Sequence, residues 1–138
     1  MTMRMIIPKR FLCALLLLCG VMAVAEDPLD EAVKRLSQAG IYALGGVGFA
    51  GRLTQATRDY MLISSLPKAE AEPIFVKLYA TGNAQAKAYA LHGMKQVNPA
   101  RFKELAADAE KSTAMVGTGR GCVLSREPLS QIAAGLDH

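Results

Sequence analysis

Two side chains in the body of the chain carry the groups that nucleophilic chemistry needs. Cys122 supplies a thiol, which attacks as thiolate when a base or dipole lowers its pKa, and His92 supplies an imidazole that exchanges a proton near neutrality. They stand in different segments, so only folding can bring them together. A thiol-dependent enzyme or redox factor using Cys122, with His92 as its base, is one function the sequence allows. The surroundings favour a quieter role. Cys122 follows Gly117-Thr118-Gly119-Arg120-Gly121 and precedes Val123-Leu124, a context that reads as a short strand or turn with a buried free thiol, the commonest fate of an unpaired cysteine. His92 shares a helical flank with Gln85, Tyr89, Lys95 and Gln96, opposite a stripe of Ala86, Ala90, Gly93, Met94 and Val97. That spacing makes Tyr89, His92 and Gln96 an exposed aromatic and polar stripe, a composition enriched at binding surfaces, and these three are the expected contact residues. No Asp, Glu or Cys falls at ligand spacing around His92, so no metal site is expected.

The other chemical motifs dissolve on their context. Gly46-Val47-Gly48-Phe49-Ala50-Gly51 matches the dinucleotide fingerprint G-x-G-x-x-G, and Glu70 stands near the distance of the ribose-binding acid. Glu70, however, follows Pro67 and opens a helical pattern, and no second parallel strand is in view, so the segment reads as a glycine loop and no cofactor is expected. Gly117 to Gly121 lacks the Lys-Ser or Lys-Thr of a phosphate loop and reads as a turn. Glu70 with Glu72, and Glu104 with Asp108, sit among lysines on solvated helix faces. Lys103 and Lys111 make surface ion pairs the expectation for the second pair, and no general acid and base emerge.

The elements that must position these residues are helical. Asp27-Pro28 starts a first amphipathic helix with Leu29, Ala32, Val33 and Leu36, ended by Gly40. Thr54 caps a second, to about Ser65, with Leu53, Ala56, Tyr60 and Ile63 on its apolar face. Ala69 to Thr81 buries Ala71, Ile74, Phe75 and Leu78, with Pro73 tolerable in the first turn. Asn83 caps the helix that carries His92. Asn98-Pro99 opens the next, with Phe102, Leu105, Ala106 and Ala109, and Ser125-Glu127-Pro128 opens a last one with Leu129, Ile132, Ala133 and Leu136. The expected fold is all-α: a small single-domain bundle of short antiparallel helical hairpins, with a glycine-rich loop or short strand before the last helix. Tyr42-Ala43-Leu44 and Cys122-Val123-Leu124 are the two strand candidates.

The first 25 residues read as an address. Arg4, Lys9 and Arg10 precede an apolar run from Phe11 to Val24, too short to span a bilayer, and Ala23-Val24-Ala25 supplies a cleavage site. The expectation is a cleaved signal over 1–25, a single domain over 26–138, no transmembrane segment after cleavage, and a periplasmic or secreted protein. Lipid attachment at Cys19 is the minority alternative, disfavoured by the bulky Leu18 before it. Removing Arg4, Lys9 and Arg10 from the 16 basic residues leaves 13 against 12 acidic ones, about +1 in place of +4. The basicity therefore belongs to the address, and neither a nucleic-acid partner nor a cationic face for lipid is expected.

Within Ala69 to Lys111, the run Asn83-Ala84-Gln85-Ala86-Lys87-Ala88-Tyr89-Ala90-Leu91 followed by Asn98-Pro99 resembles the helical hairpins of HEAT-like solenoids. That resemblance implies a protein-binding surface and no catalysis, although no second and third copy follows. The expected function is an exported, non-catalytic helical protein that binds another envelope or secreted macromolecule, as an accessory, inhibitor or immunity-type factor. Besides the Cys122 enzyme, the alternative is a carrier of a small apolar ligand in a cleft lined by Met94, Phe75 and Tyr79.

Overall fold

Short polar side chains set where each helix begins. The computed structural model describes residues 25–138, so the expected export signal, with Cys19, lies outside the described residues except for its last position. Helix α1 (Pro28–Ser37) starts where Asp27 accepts a hydrogen bond from the Leu29 N–H at 3.0 Å; Asp30 and Glu31 in its first turn and Lys34 and Arg35 in its last oppose the helix dipole. Helix α2 (Gln55–Ser64) is capped by Thr54, α4 (Ala84–Val97) by Asn83 and α5 (Pro99–Ala109) by Asn98, each accepting from an N–H three residues on. Helix α3 (Lys68–Thr81) has no side-chain cap. It starts at Lys68 after Pro67, one residue earlier than the apolar pattern indicates, and Pro73 is its sixth residue, in the second turn and not the first; the Pro73 side chain faces solvent, where water can serve the carbonyl it leaves unbonded.

The apolar faces meet on α4, which packs against α3, α5, α6 (Leu129–Leu136) and the first strand. Its Ala86, Ala90, Gly93 and Met94 are buried as the spacing indicates. The reason for a glycine is geometric: a Cβ at Gly93 would overlap the Phe75 ring, which lies directly on the backbone there. Ala88, Tyr89 and Leu91 are buried as well, so this helix has apolar neighbours on nearly every side of its middle.

The fold is mostly helical, but all-α is only approximate, because the glycine-rich return is a β-hairpin. Strands β1 (Met115–Arg120) and β2 (Val123–Pro128) pair antiparallel, with Thr118 opposite Ser125 and Arg120 opposite Val123. Gly121, at φ +57°, begins the two-residue turn, a conformation that glycine adopts without strain. Gly117 and Gly119 carry no side chains on the back of β1, and that space is taken by Gln85, Ile41 and Val47. Tyr42 adds a third, one-residue rung: its N–H donates to the Gly117 carbonyl at 2.7 Å and its carbonyl accepts from the Gly119 N–H at 3.1 Å. Strand β2 runs through Ser125 to Pro128, so the last helix starts only at Leu129. Among the described residues no helix is long and apolar enough to cross a membrane.

Candidate functional site

The expected binding stripe is not a surface. Tyr89 is fully buried, and its phenol donates to the Ala43 carbonyl at 2.9 Å while accepting from the Ala43 N–H at 3.0 Å. Thr57 Oγ1 donates to the same carbonyl at 2.6 Å. The Tyr42 ring stands edge-on to Tyr89 with centroids 5.0 Å apart, and Tyr60 lies at 5.5 Å. The helical period put Tyr89 on a polar flank; β1 and the Ile41 to Ala43 segment cover that flank, and backbone hydrogen bonds satisfy the one polar atom the ring carries. Gln96 is exposed. His92 is half-buried, edge-on to Tyr60 at 5.8 Å, with Nε2 at 3.4 Å from Gln96 Nε2 and a buried Nδ1 that has no partner among the described residues. Burial, and then the charge of Lys95, lower its pKa. The structure thus separates the three residues: one in the core, one lining a groove, one in solvent.

Cys122 corrects the second expectation. It is exposed at the tip of the hairpin, because the two-residue turn lifts it off both strands, and Val123 and Leu124 beside it are 65% and 68% exposed. An apolar pair reads as buried in sequence; here it lies on an edge strand. Cys122 does not line the groove that holds His92, and no hydrogen bond links them. The cleft imagined from Met94, Phe75 and Tyr79 is core: Phe75 and Met94 are fully buried, and the Tyr79 phenol donates to Asp108 at 2.7 Å. Asp108 is thereby used by a tyrosine and Glu104 pairs with Arg101 at 3.0 Å, in place of the lysines the spacing suggested.

The groove that His92 borders has a volume of about 650 Å³ and lies between the Tyr42 to Gly46 segment, the front face of the hairpin and α6. Leu44, Ile132 and Leu136 give it apolar walls, and Thr118, Arg120, Glu127 and Gln131 give it polar ones. Thr118 Oγ1 is 2.7 Å from Ser125 Oγ and 3.4 Å from Glu127 Oε1, so a short row of oxygens runs across the hairpin. Burial raises the Tyr42 phenol above its usual pKa and keeps it a neutral donor. Lys95 Nζ reaches the Leu136 carbonyl and holds the end of α6 as the far wall. A second cavity, about 660 Å³, lies on the other side between α3 and α5 beside Pro73, Lys77 and Arg101.

Beyond the groove the hairpin presents its outer edge. In an antiparallel pair, residues alternate between turning their N–H and C=O toward the partner and away from it. On β1 the groups turned away from β2 are identified by their use, since Gly117 and Gly119 bond Tyr42. Their cross-strand partners, Arg126 and Leu124, therefore point both main-chain groups outward, and among the described residues neither meets a backbone partner there. Beyond the turn, Phe49 stands fully exposed on a tight turn from Gly48 to Gly51 that docks on the hairpin through Gly48 N–H to Gly121 C=O at 2.7 Å. Sequence reasoning missed this edge because alternation alone does not say which strand of a pair lies outside. Among the described residues no cluster of His, Cys, Asp or Glu is placed to hold a metal ion. Comparison with protein-family models, curated proteins and solved structures finds no match to this chain.

Proposed function

We propose that this is an exported, non-catalytic binding protein that takes an extended segment of another envelope or secreted protein as an added strand on β2. The observation that carries the reading is the outer edge of β2, four outward main-chain groups on Leu124 and Arg126 in a strand exposed from Val123 to Arg126. Such edges are normally covered or blunted, because they template pairing with another chain. The side chains state the partner's chemistry. Leu124 calls for an apolar residue across from it and Arg126 for a carboxylate. Four main-chain bonds at about 1 kcal/mol each offset only part of the cost of ordering a flexible segment. Apolar contact with Val123 and Leu124 must supply the rest, so affinity in the micromolar range or weaker is expected.

The test uses capped hexapeptides that alternate valine and threonine around one aspartate, added to the ¹⁵N-labelled full chain. Binding is expected to move the Leu124 and Arg126 amide signals and slow their hydrogen exchange, and Leu124→Pro, which removes an outward donor, is expected to abolish it. Shifts elsewhere, or binding indifferent to Leu124→Pro, would overturn the reading. Concentration-dependent dimerisation lost in Leu124→Pro would replace the foreign segment by a second copy.

A further inference from the structure

The groove on the front of the hairpin carries two opposite charges that do not meet. Arg120 and Glu127 both line it, and among the described residues neither belongs to an ion pair. Glu127 is half-buried, and a partly desolvated carboxylate without a cation is unfavourable, the more so beside the apolar walls of Ile132 and Leu136. The two project from the same face of the hairpin, because Glu127 stands opposite Val116, and Val116, Thr118 and Arg120 alternate to one side of β1. Val116 and Arg120 are four residues apart on that strand, which at about 3.3 Å per residue puts the two charges roughly 13 Å apart at the backbone. Glu127 leans toward Arg120: its Oε1 is 3.4 Å from Thr118 Oγ1, and Thr118 stands two residues, about 7 Å, from Arg120, so the gap shortens to about the length of an extended chain of two or three residues, at 3.3 to 3.6 Å each.

The groove is also kept open at its own expense. Gly45 and Gly135 line it, neither has a positive φ, and among the described residues a Cβ on either would meet no atom within 4 Å. Gly135 lies in the last turn of α6, where glycine is about 1 kcal/mol less favourable than alanine in a helix interior and somewhat less so near an end. Neither backbone conformation nor packing requires glycine there; the space it leaves is groove. A volume of about 650 Å³ falls within the range of small-ligand sites.

We propose that this groove binds a di- or tripeptide with free ends, its ammonium on Glu127 and its carboxylate on Arg120, lying past the Thr118 hydroxyl between them. The site is on the sheet face and is independent of the strand addition proposed for the β2 edge. Free amino acids are too short to reach both charges, and capped peptides lack them. A hydrogen bond to a charged group contributes about 1.5–3 kcal/mol, so losing one end is expected to weaken binding about 10- to 100-fold.

The experiment titrates di-, tri-, tetra- and hexa-alanine, with free, N-acetylated and C-amidated ends, into the ¹⁵N-labelled full chain and follows the amides of Thr118, Gly119, His92 and Gln131. Expected are a maximum at two or three residues, a loss of 10-fold or more on capping either end, and a switch in which Glu127→Gln removes the penalty for N-acetylation while Arg120→Gln removes that for C-amidation. Gly135→Leu is expected to block binding while leaving the melting temperature unchanged or higher, and Leu124→Pro to leave it intact. Because the caps are on the ligand, the test stands even where a variant folds poorly. No shifts at millimolar peptide, affinity indifferent to length and caps, or shifts confined to Leu124 and Arg126 would overturn the assignment.

Discussion

Removing one oxygen from the core tests how the groove's inner wall is held. Ala43 is 2% exposed; its N–H has the Tyr89 phenol as partner, and its carbonyl has both that phenol and Thr57 Oγ1. In Tyr89→Phe the ring still packs against Tyr42 and Tyr60, and the carbonyl keeps Thr57, but the buried N–H is left unpaired, at a cost of about 1–3 kcal/mol. Thr57→Val leaves the carbonyl with the phenol and forfeits the 2.8 Å contact to Thr54, so about 1 kcal/mol is expected. The double variant strands both groups of Ala43 and is expected to exceed the sum of the singles by about 0.5 kcal/mol or more. At about 4 °C per kcal/mol for a domain of this size, Tyr89→Phe lowers the melting temperature by about 4–12 °C. Calorimetry or denaturant unfolding of the four proteins gives the cycle. A Tyr89→Phe protein within about 0.5 kcal/mol of the parent, the range for a surface side chain, would refute the buried network and return Tyr89 to the exposed stripe that its helical spacing suggests.

Three further outcomes follow from the geometry. Ser125→Pro removes an N–H turned toward β1 and the 2.7 Å bond to Thr118, and is expected to destabilise the fold by about 2–3 kcal/mol, whereas Leu124→Pro removes only an outward donor and is expected to cost under about 1 kcal/mol; equal effects in denaturant unfolding would show the strand's inside and outside to be misassigned. The lowered pKa of His92 means that the unfolded chain takes up its proton first, so the associated stability is complete above the ordinary histidine value near 6.5 and is lost as pH falls from there through the folded value; melting at pH 7.5 and 5 is expected to fall more for the parent than for His92→Gln, and an identical drop would refute it. Cys122, exposed at the hairpin tip, is expected to react with a thiol reagent in native protein as fast as in denaturant, and Cys122→Ser to leave the melting temperature unchanged; protection in the native state would restore the buried thiol.

Legibility in the sequence followed the range of the forces involved. Helix starts are local: Asp27, Thr54, Asn83 and Asn98 each bond an N–H two or three residues away, so residue type and spacing suffice to place them. The Ala86 to Met94 stripe was equally readable, because its packing partner, Phe75, sits in the adjacent helix. What failed depends on contacts between distant segments. Tyr89 reads as amphipathic either way, and only the arrival of Ala43, 46 positions before it, decides that the phenol is inside. The strand signal of Cys122-Val123-Leu124 holds for Val123 and Leu124 while Cys122 falls in the turn, and it is wrong in burial, because whether a strand is central or at an edge depends on where Tyr42 adds to β1. The Arg35 and Asp59 pair, bonded at 2.8 Å and 3.1 Å, joins α1 to α2, and a buried Asp on a helix flank is legible only once its arginine is known. The groove combines all of these dependences. Its walls come from four separated stretches, around Tyr42, His92, Thr118 and Ile132, none of which has a motif of its own, so its chemistry exists only where the fold assembles it. That is also why glycines are its most telling residues: at Gly46 and Gly119 a side chain would collide with the protein, while at Gly45 and Gly135 it would meet, among the described residues, only the space between the walls.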